Sequence, residues 1–156
     1  MDIRTILVAT DFSEHSQRAF QRACELASQL EAKVFLLHVQ SAGALRIAIK
    51  EGLLDDASTD AQLEDAVAQL IKQRFSQIVS SCTHSNISIE QILRRGAPEA
   101  AISSYATEIR ADLVVIGRRG AGLLDDVKAA VIGSVAESLV RKSPCPVLIV
   151  RRDHKT

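Results

Sequence analysis

The sequence predicts an α/β fold built on a parallel sheet that helices cover on both faces. Two observations carry that prediction. Strand-like and helix-like segments alternate along the 156 residues, as they do when helical crossovers join parallel strands. The strand-like segments are also continuous apolar runs, such as Ile6-Leu-Val-Ala9 and Leu113-Val-Val-Ile116, the mark of strands buried on both faces. Length and composition agree. One domain over residues 1–156 is the size expected, and a hydrophobic content of 47% is enough for a real core.

Each element has its own signal. Ile3 to Thr10 reads as the first strand, with Asp11-Phe12-Ser13 as a turn and helix start. From Ser16, the residues Ala19, Phe20, Ala23, Cys24, Leu26, Ala27 and Leu30 recur at helical spacing. Lys33 to Val39 is the second strand. Residues 41 to about 60 are less clear: Ala44 to Ile49 could form a helical turn, and Asp55 to Asp60 is polar and turn-like. Leu63, Ala66, Val67, Leu70, Ile71, Phe75, Ile78, Val79 and Cys82 mark a long amphipathic helix. Ile87 to Arg94 alternates partly and reads as the third strand. Gly96-Ala97-Pro98 opens the next helix, proline being suited to a first turn, and Ile102, Tyr105, Ala106 and Ile109 continue it. Leu113 to Ile116 is the fourth strand and Ser134 to Arg141 a helix. Ser143-Pro-Cys-Pro146 breaks that helix before the fifth strand, Val147 to Val150, and a polar tail.

Composition excludes several function classes. Lys and Arg together balance Asp and Glu at 19 each, so there is no global electrostatic footprint for nucleic acid or an anionic membrane. Aromatic residues at 3% argue against base-stacking platforms. No apolar run reaches the roughly 18–20 residues that span a bilayer. The N-terminus enters a strand without a signal-peptide pattern, so a cytoplasmic protein is expected. Cys24, Cys82 and Cys145 are widely spaced among apolar residues and read as small core residues.

In parallel α/β sheets, ligands sit beyond the C-terminal ends of the strands at a topological switch point. That rule singles out Asp11, Val39 and Gly117. Gly117-Arg-Arg-Gly120 follows the fourth strand, and Gly133-Ser134 opens the last helix after twelve intervening residues. Glycines allow close backbone approach, and a helix N-terminus offers unpaired N–H groups. Strand, glycine-rich loop and helix together make a phosphate cradle, or the glycines simply shape a long loop. Ser134-x-x-Glu137 further predicts a capping box. Asp11 is either a turn residue or a ligand contact, and His38 reads as a hydrogen-bonded structural histidine. No metal cluster, Ser–His–acid arrangement or Walker A pattern stands in the sequence, so no catalytic residue is assigned.

These segments together resemble the universal stress protein family, of the single-domain kind. The likeness rests on Val8-Ala-Thr-Asp11 with Ser13 and Ser16, on Leu37-His-Val39, on Gly96-Ala-Pro98 and on Asp112-Leu-Val-Val-Ile-Gly117. Its most specific part is Gly133-Ser-Val-Ala-Glu137 followed by Ser143-Pro-Cys-Pro-Val-Leu-Ile-Val150. The resemblance implies a Rossmann-like sheet in the order 3-2-1-4-5. It implies a homodimer paired through the last strand, Val147 to Val150, and a stress-response regulatory module that binds ATP, with Mg²⁺ as a candidate partner of the phosphates. Asp11 would face the ribose, the Val39 backbone would meet adenine, and Gly117, Arg118 and Gly120 would border ribose and phosphates. Gly133, Ser134 and Val135 would hold phosphate at the helix start.

The family contains ATP binders and non-binders. Binders resemble Gly-x2-Gly-x9-Gly-(Ser/Thr), and here the second gap is three residues longer. Three residues add up to roughly 10 Å of chain, but lengthening a flexible loop costs little closure entropy, of order 0.2 kcal/mol. The excess lies near Leu123 to Val127. Asp125 and Asp126 there are either solvated carboxylates or magnesium ligands. Three functions follow: an ATP-binding module, a nucleotide-free dimer that docks an unknown protein partner, and a slow ATPase.

Overall fold

The computed structural model describes residues 1–41, 52, 60–118 and 132–151. Five strands run in the order β1 (Thr5–Thr10), β2 (Lys33–Gln40), β3 (Ile89–Arg95), β4 (Leu113–Gly117) and β5 (Val147–Val150). They are interleaved with α1 (Glu14–Leu30), α2 (Asp60–Ser80), α3 (Pro98–Glu108) and α4 (Ser134–Lys142). The sheet is parallel throughout, in the order β3-β2-β1-β4-β5. β1 therefore lies at the centre with β2 and β4 on either side, and the chain reverses direction across the sheet at β1 and β4. That reversal is the crevice where α/β sheets take ligands.

Alternate residues of each strand supply two separate cores. Ile6, Val8, Val34, Leu36, Leu113 and Val115 face α1 and α2, meeting Phe20, Ala23, Ala27, Val67, Ile71 and Phe75. Leu7, Ala9, Leu37, Val114 and Ile116 face α3 and α4, meeting Ile102, Tyr105, Ala106, Ala136 and Leu139. The central strands are buried on both sides, which is why their sequences do not alternate. Cys24 sits within the first core, Cys82 packs against it, and Cys145 packs against the second. All three thiols are free. Burial pushes the Cys24 thiol well above its ordinary range.

Hydrogen bonds fix the element ends, and α1 begins at the Asp11-Phe12-Ser13 turn as expected. α1 starts at Glu14, two residues before the apolar period begins, because the Ser13 hydroxyl accepts the Ser16 N–H at 3.3 Å and caps the first turn. α1 and α3 both stop without glycine. Glu31 and Arg110 take left-handed backbone, with φ of 56° and 51°. The amides of Ala32 and Ala111 then return to the carbonyls of Ala27 and Ala106 at 3.0 and 2.8 Å, closing each helix by the Schellman pattern. Asp112 locks the sheet start: its Oδ2 accepts the N–H groups of both Arg4 and Thr5 at 2.9 Å. Nearly all of residues 41–59, read as uncertain from the sequence, lie outside the described residues, as does the polar tail beyond Arg151. Among the described residues no helix is long and apolar enough to cross a membrane.

Candidate functional site

A cavity of about 590 Å³ opens at the C-terminal ends of β1, β2 and β4, within the range of small-molecule sites. Ala9, Thr10 and Asp11 line it from β1, Leu37 and Val39 from β2, and Ile116, Gly117 and Arg118 from β4. Pro98 and Ile102 close one side from α3, and residues 132–137 close the other from the start of α4. Seven of the eight candidate residues thus meet around one space: Asp11, Val39, Gly117, Arg118, Gly133, Ser134 and Val135. The eighth, Gly120, lies outside the described residues, as do Arg119, Asp125 and Asp126.

The two ends of the long loop stay together. The Gly133 N–H donates to the Arg118 carbonyl at 2.8 Å, and the Arg118 N–H donates to the Val150 carbonyl at 3.1 Å. The first bond joins the two ends of the loop and the second anchors Arg118 to β5, so the three extra residues do not separate Gly117 from Gly133. Sequence reasoning could gauge the loop's closure entropy but could not see this tie.

One local expectation is corrected. The capping box at Ser134 does not form. Gly133 is the N-cap, with φ −64° and ψ 151°, and Ser134 is already the first helical residue. Glu137 instead pairs with Arg141, one turn further on, at 2.8 Å. With no side chain capping α4, the N–H groups of its first turn are left for solvent or a bound anion. Gly117, expected to make room for a ligand, lines the cavity and also makes room for protein. A Cβ there would lie 2.7 Å from the His15 carbonyl carbon and oxygen and 3.0 Å from the Ser16 amide.

Asp11 is a turn residue, and it also lines the cavity. Its Oδ1 accepts the Ser13 N–H at 3.0 Å, an Asx turn, while the residue remains exposed along the cavity. Behind it, the buried Thr10 and Ser16 hydroxyls meet at 2.9 Å. Ser16 Oγ donates to the Ser13 carbonyl, so Thr10 donates to Ser16 and accepts the Phe12 N–H. Thr10, Ser16, Pro98, Ile102, Ile116, Ile132 and Glu137 line the cavity without having been assigned to the site from the sequence. Apolar period had placed Ile102 and Ile116 in the core, where they are, and nothing local marked them as cavity lining.

His38 is half-buried, and its Nδ1 lies 2.8 Å from the Thr10 carbonyl. A carbonyl only accepts, so Nδ1 carries the proton. Burial holds the ring's pKa below its ordinary value, while the Thr10 bond and the Asp11 charge pull the other way. The unfolded chain therefore binds the His38 proton more readily than the folded one. Stability is fully present above about pH 6.5 and falls as pH drops from there through the folded pKa. His38→Gln is expected to flatten that part of the pH profile of unfolding free energy, measured by denaturant titration between about pH 7.5 and 5.5. An unchanged slope would assign it to another group.

The family model for the universal stress protein family matches residues 2–151. A universal stress protein relative from Staphylococcus saprophyticus is 30% identical over 151 residues, covering 96% of this chain and 84% of its own. Among solved structures, a universal stress protein in complex with cAMP superposes with a TM-score of 0.64 at 24% identity, over 98% of this chain and 100% of its own. A family protein of Arabidopsis thaliana with AMP bound superposes with a TM-score of 0.57 at 20% identity, over 97% of this chain and 93% of its own.

Proposed function

The chain belongs to the universal stress protein family, and from that premise we propose that its cavity binds an adenine nucleotide and that binding is its regulatory input. The observation that carries this reading is the gathering of Asp11, Val39, Gly117, Arg118, Gly133, Ser134 and Val135 around one cavity. The apolar wall of Leu37, Val39, Pro98 and Ile102 suits a flat base, which gains by leaving water. The opposite wall offers Arg118 and the uncapped start of α4, which suit phosphate. The exposed Asp11 carboxylate at the cavity would accept from a ribose hydroxyl. The cAMP and AMP carried by two proteins of the same fold support the ligand class.

ATP is the finer reading. Arg118 cannot balance a triphosphate alone, and Glu137 adds a negative charge to the same wall. Mg²⁺ would meet that need through phosphate oxygens and water. Among the described residues no group of three or more His, Cys, Asp or Glu is placed to hold a metal.

Thermal unfolding with and without excess AMP or Mg-ATP tests the proposal. Ligand at ~100 times its dissociation constant adds roughly 2.7 kcal/mol, which for a domain of this size raises the midpoint by about 5–10 °C. Protein purified free of nucleotide and indifferent to both ligands would sink it.

A second observation favours self-association through β5. This edge strand is apolar and half-buried along its whole length, and Val140 on α4 is 60% exposed. Antiparallel pairing with a second copy would cover an edge that otherwise invites aggregation. Sedimentation as a single chain at micromolar concentration would exclude the dimer, and conversion of a dimer to single chains by Ile149→Lys would support it.

A further inference from the structure

Phe12 adopts a backbone conformation that a bulky side chain rarely enters. Its φ is 64°, in the left-handed region where Cβ crowds the following carbonyl. Such strain persists only where the surroundings over-determine it. On one side, its N–H is held by Thr10 Oγ1 at 3.0 Å, next to the Asx turn of Asp11. On the other, its ring lies 4.4 Å from the His38 imidazole and meets the Phe75 ring edge-on at 5.3 Å.

The neighbours of this cluster matter more than the cluster. Asp11 precedes Phe12, and Val39 follows His38, and both line the cavity. Phe12 and His38 are not among its lining residues. One ring contact therefore ties the end of β1 to the end of β2 behind the cavity, with α2 as the backstop through Phe75. The His38 bond to the Thr10 carbonyl at 2.8 Å spans the same two strand ends.

We infer that Phe12 is a positioning residue of the ligand site. By wedging between His38 and Phe75, it fixes the Asp11 carboxylate and the Val39 backbone at the cavity wall, and so sets ligand affinity without touching the ligand. The inference rests on the nucleotide-binding reading and adds a determinant to it. Its competitor is simple packing, in which the ring fills the edge of the first core and the turn looks after itself.

Phe12→Gly and Phe12→Leu separate the two. Glycine removes the ring and relieves the left-handed strain, while leucine keeps apolar bulk and loses the flat face. AMP and Mg-ATP affinities by calorimetry are read beside amide hydrogen exchange at Ser13, whose N–H reports the Asp11 turn. The expected result is a folded protein with a faster-exchanging Ser13 amide and affinity weaker on the order of tenfold. Wild-type affinity in either folded variant overturns the inference, as does a Ser13 amide that exchanges at the wild-type rate. An affinity loss matched by a lost folded fraction in circular dichroism also overturns it, because packing alone would give that. If the wild-type chain binds neither nucleotide, the nucleotide reading fails instead and Ser13 exchange decides alone. Faster exchange in Phe12→Gly then supports the ring as the holder of Asp11, and an unchanged rate refutes it.

Discussion

Gly117→Val is expected to lower the melting midpoint by about 6–12 °C, the equivalent of roughly 3 kcal/mol in a domain of this size. The cause is protein backbone. The added Cβ would sit 2.7 Å from the His15 carbonyl carbon and oxygen, and a valine adds two more methyl groups beyond it. No side chain can rotate away to relieve that contact. The first turn of α1 would have to lift off the end of β4, and α1 carries Ala19, Phe20, Ala23, Cys24 and Ala27 into the first core. Gly117→Ala should act in the same direction with a smaller effect. A Gly117→Val chain melting within about 2 °C of wild type would mean that the turn moves freely, and the steric account would be wrong.

The second large effect separates binding from folding. Asp11→Ala combined with Gly133→Val is expected to abolish the ligand-induced midpoint shift while lowering the ligand-free midpoint by no more than about 4–8 °C. Gly133 has φ −64° and ψ 151°, which any residue can adopt. It caps α4 without a side-chain bond, so its replacement gives up no capping interaction and costs of order 1 kcal/mol or less. Asp11 loses an exposed turn bond to Ser13, about 1 kcal/mol in net terms. The roughly 2.7 kcal/mol that ligand adds at 100 times its dissociation constant should disappear, because both changes fall on the cavity wall. Retention of the wild-type shift by the double variant would move binding away from this cavity. The two glycines are thus expected to fail in opposite ways, Gly117 through the fold and Gly133 through the ligand.

Much of this architecture was legible in the order of the residues. Alternating elements and non-alternating apolar strands announced a parallel sheet with two cores, and Ile6-Leu-Val-Ala9 and Leu113-Val-Val-Ile116 fall at its buried centre. Helix interiors followed from their apolar period. Boundaries were less legible where the signal was not glycine. Glu31 and Arg110 end α1 and α3 in left-handed backbone, and nothing in their side chains forecasts that. The reason lies in the alanine after each, 4% and 9% exposed, whose burial and return bond reward the turn.

The site divides in the same way. Sequence and strand-end logic named Asp11, Val39 and Gly117 as candidate positions, and the family resemblance gave them roles. Only the tertiary structure brought them together, because residues 11, 39, 117 and 133 are distant in the chain and converge only once β1, β2 and β4 pair in register. It also split the roles of residues that looked alike. Gly117 is required by a helix that sequence places a hundred residues away, and Ser134 lies inside a helix it was expected to cap. The sequence by itself determined which segments are buried and in what order they are strung, since solvent exclusion acts on local apolar pattern. The tertiary structure alone decided what each polar and glycine residue faces, since that depends on neighbours the chain supplies from elsewhere.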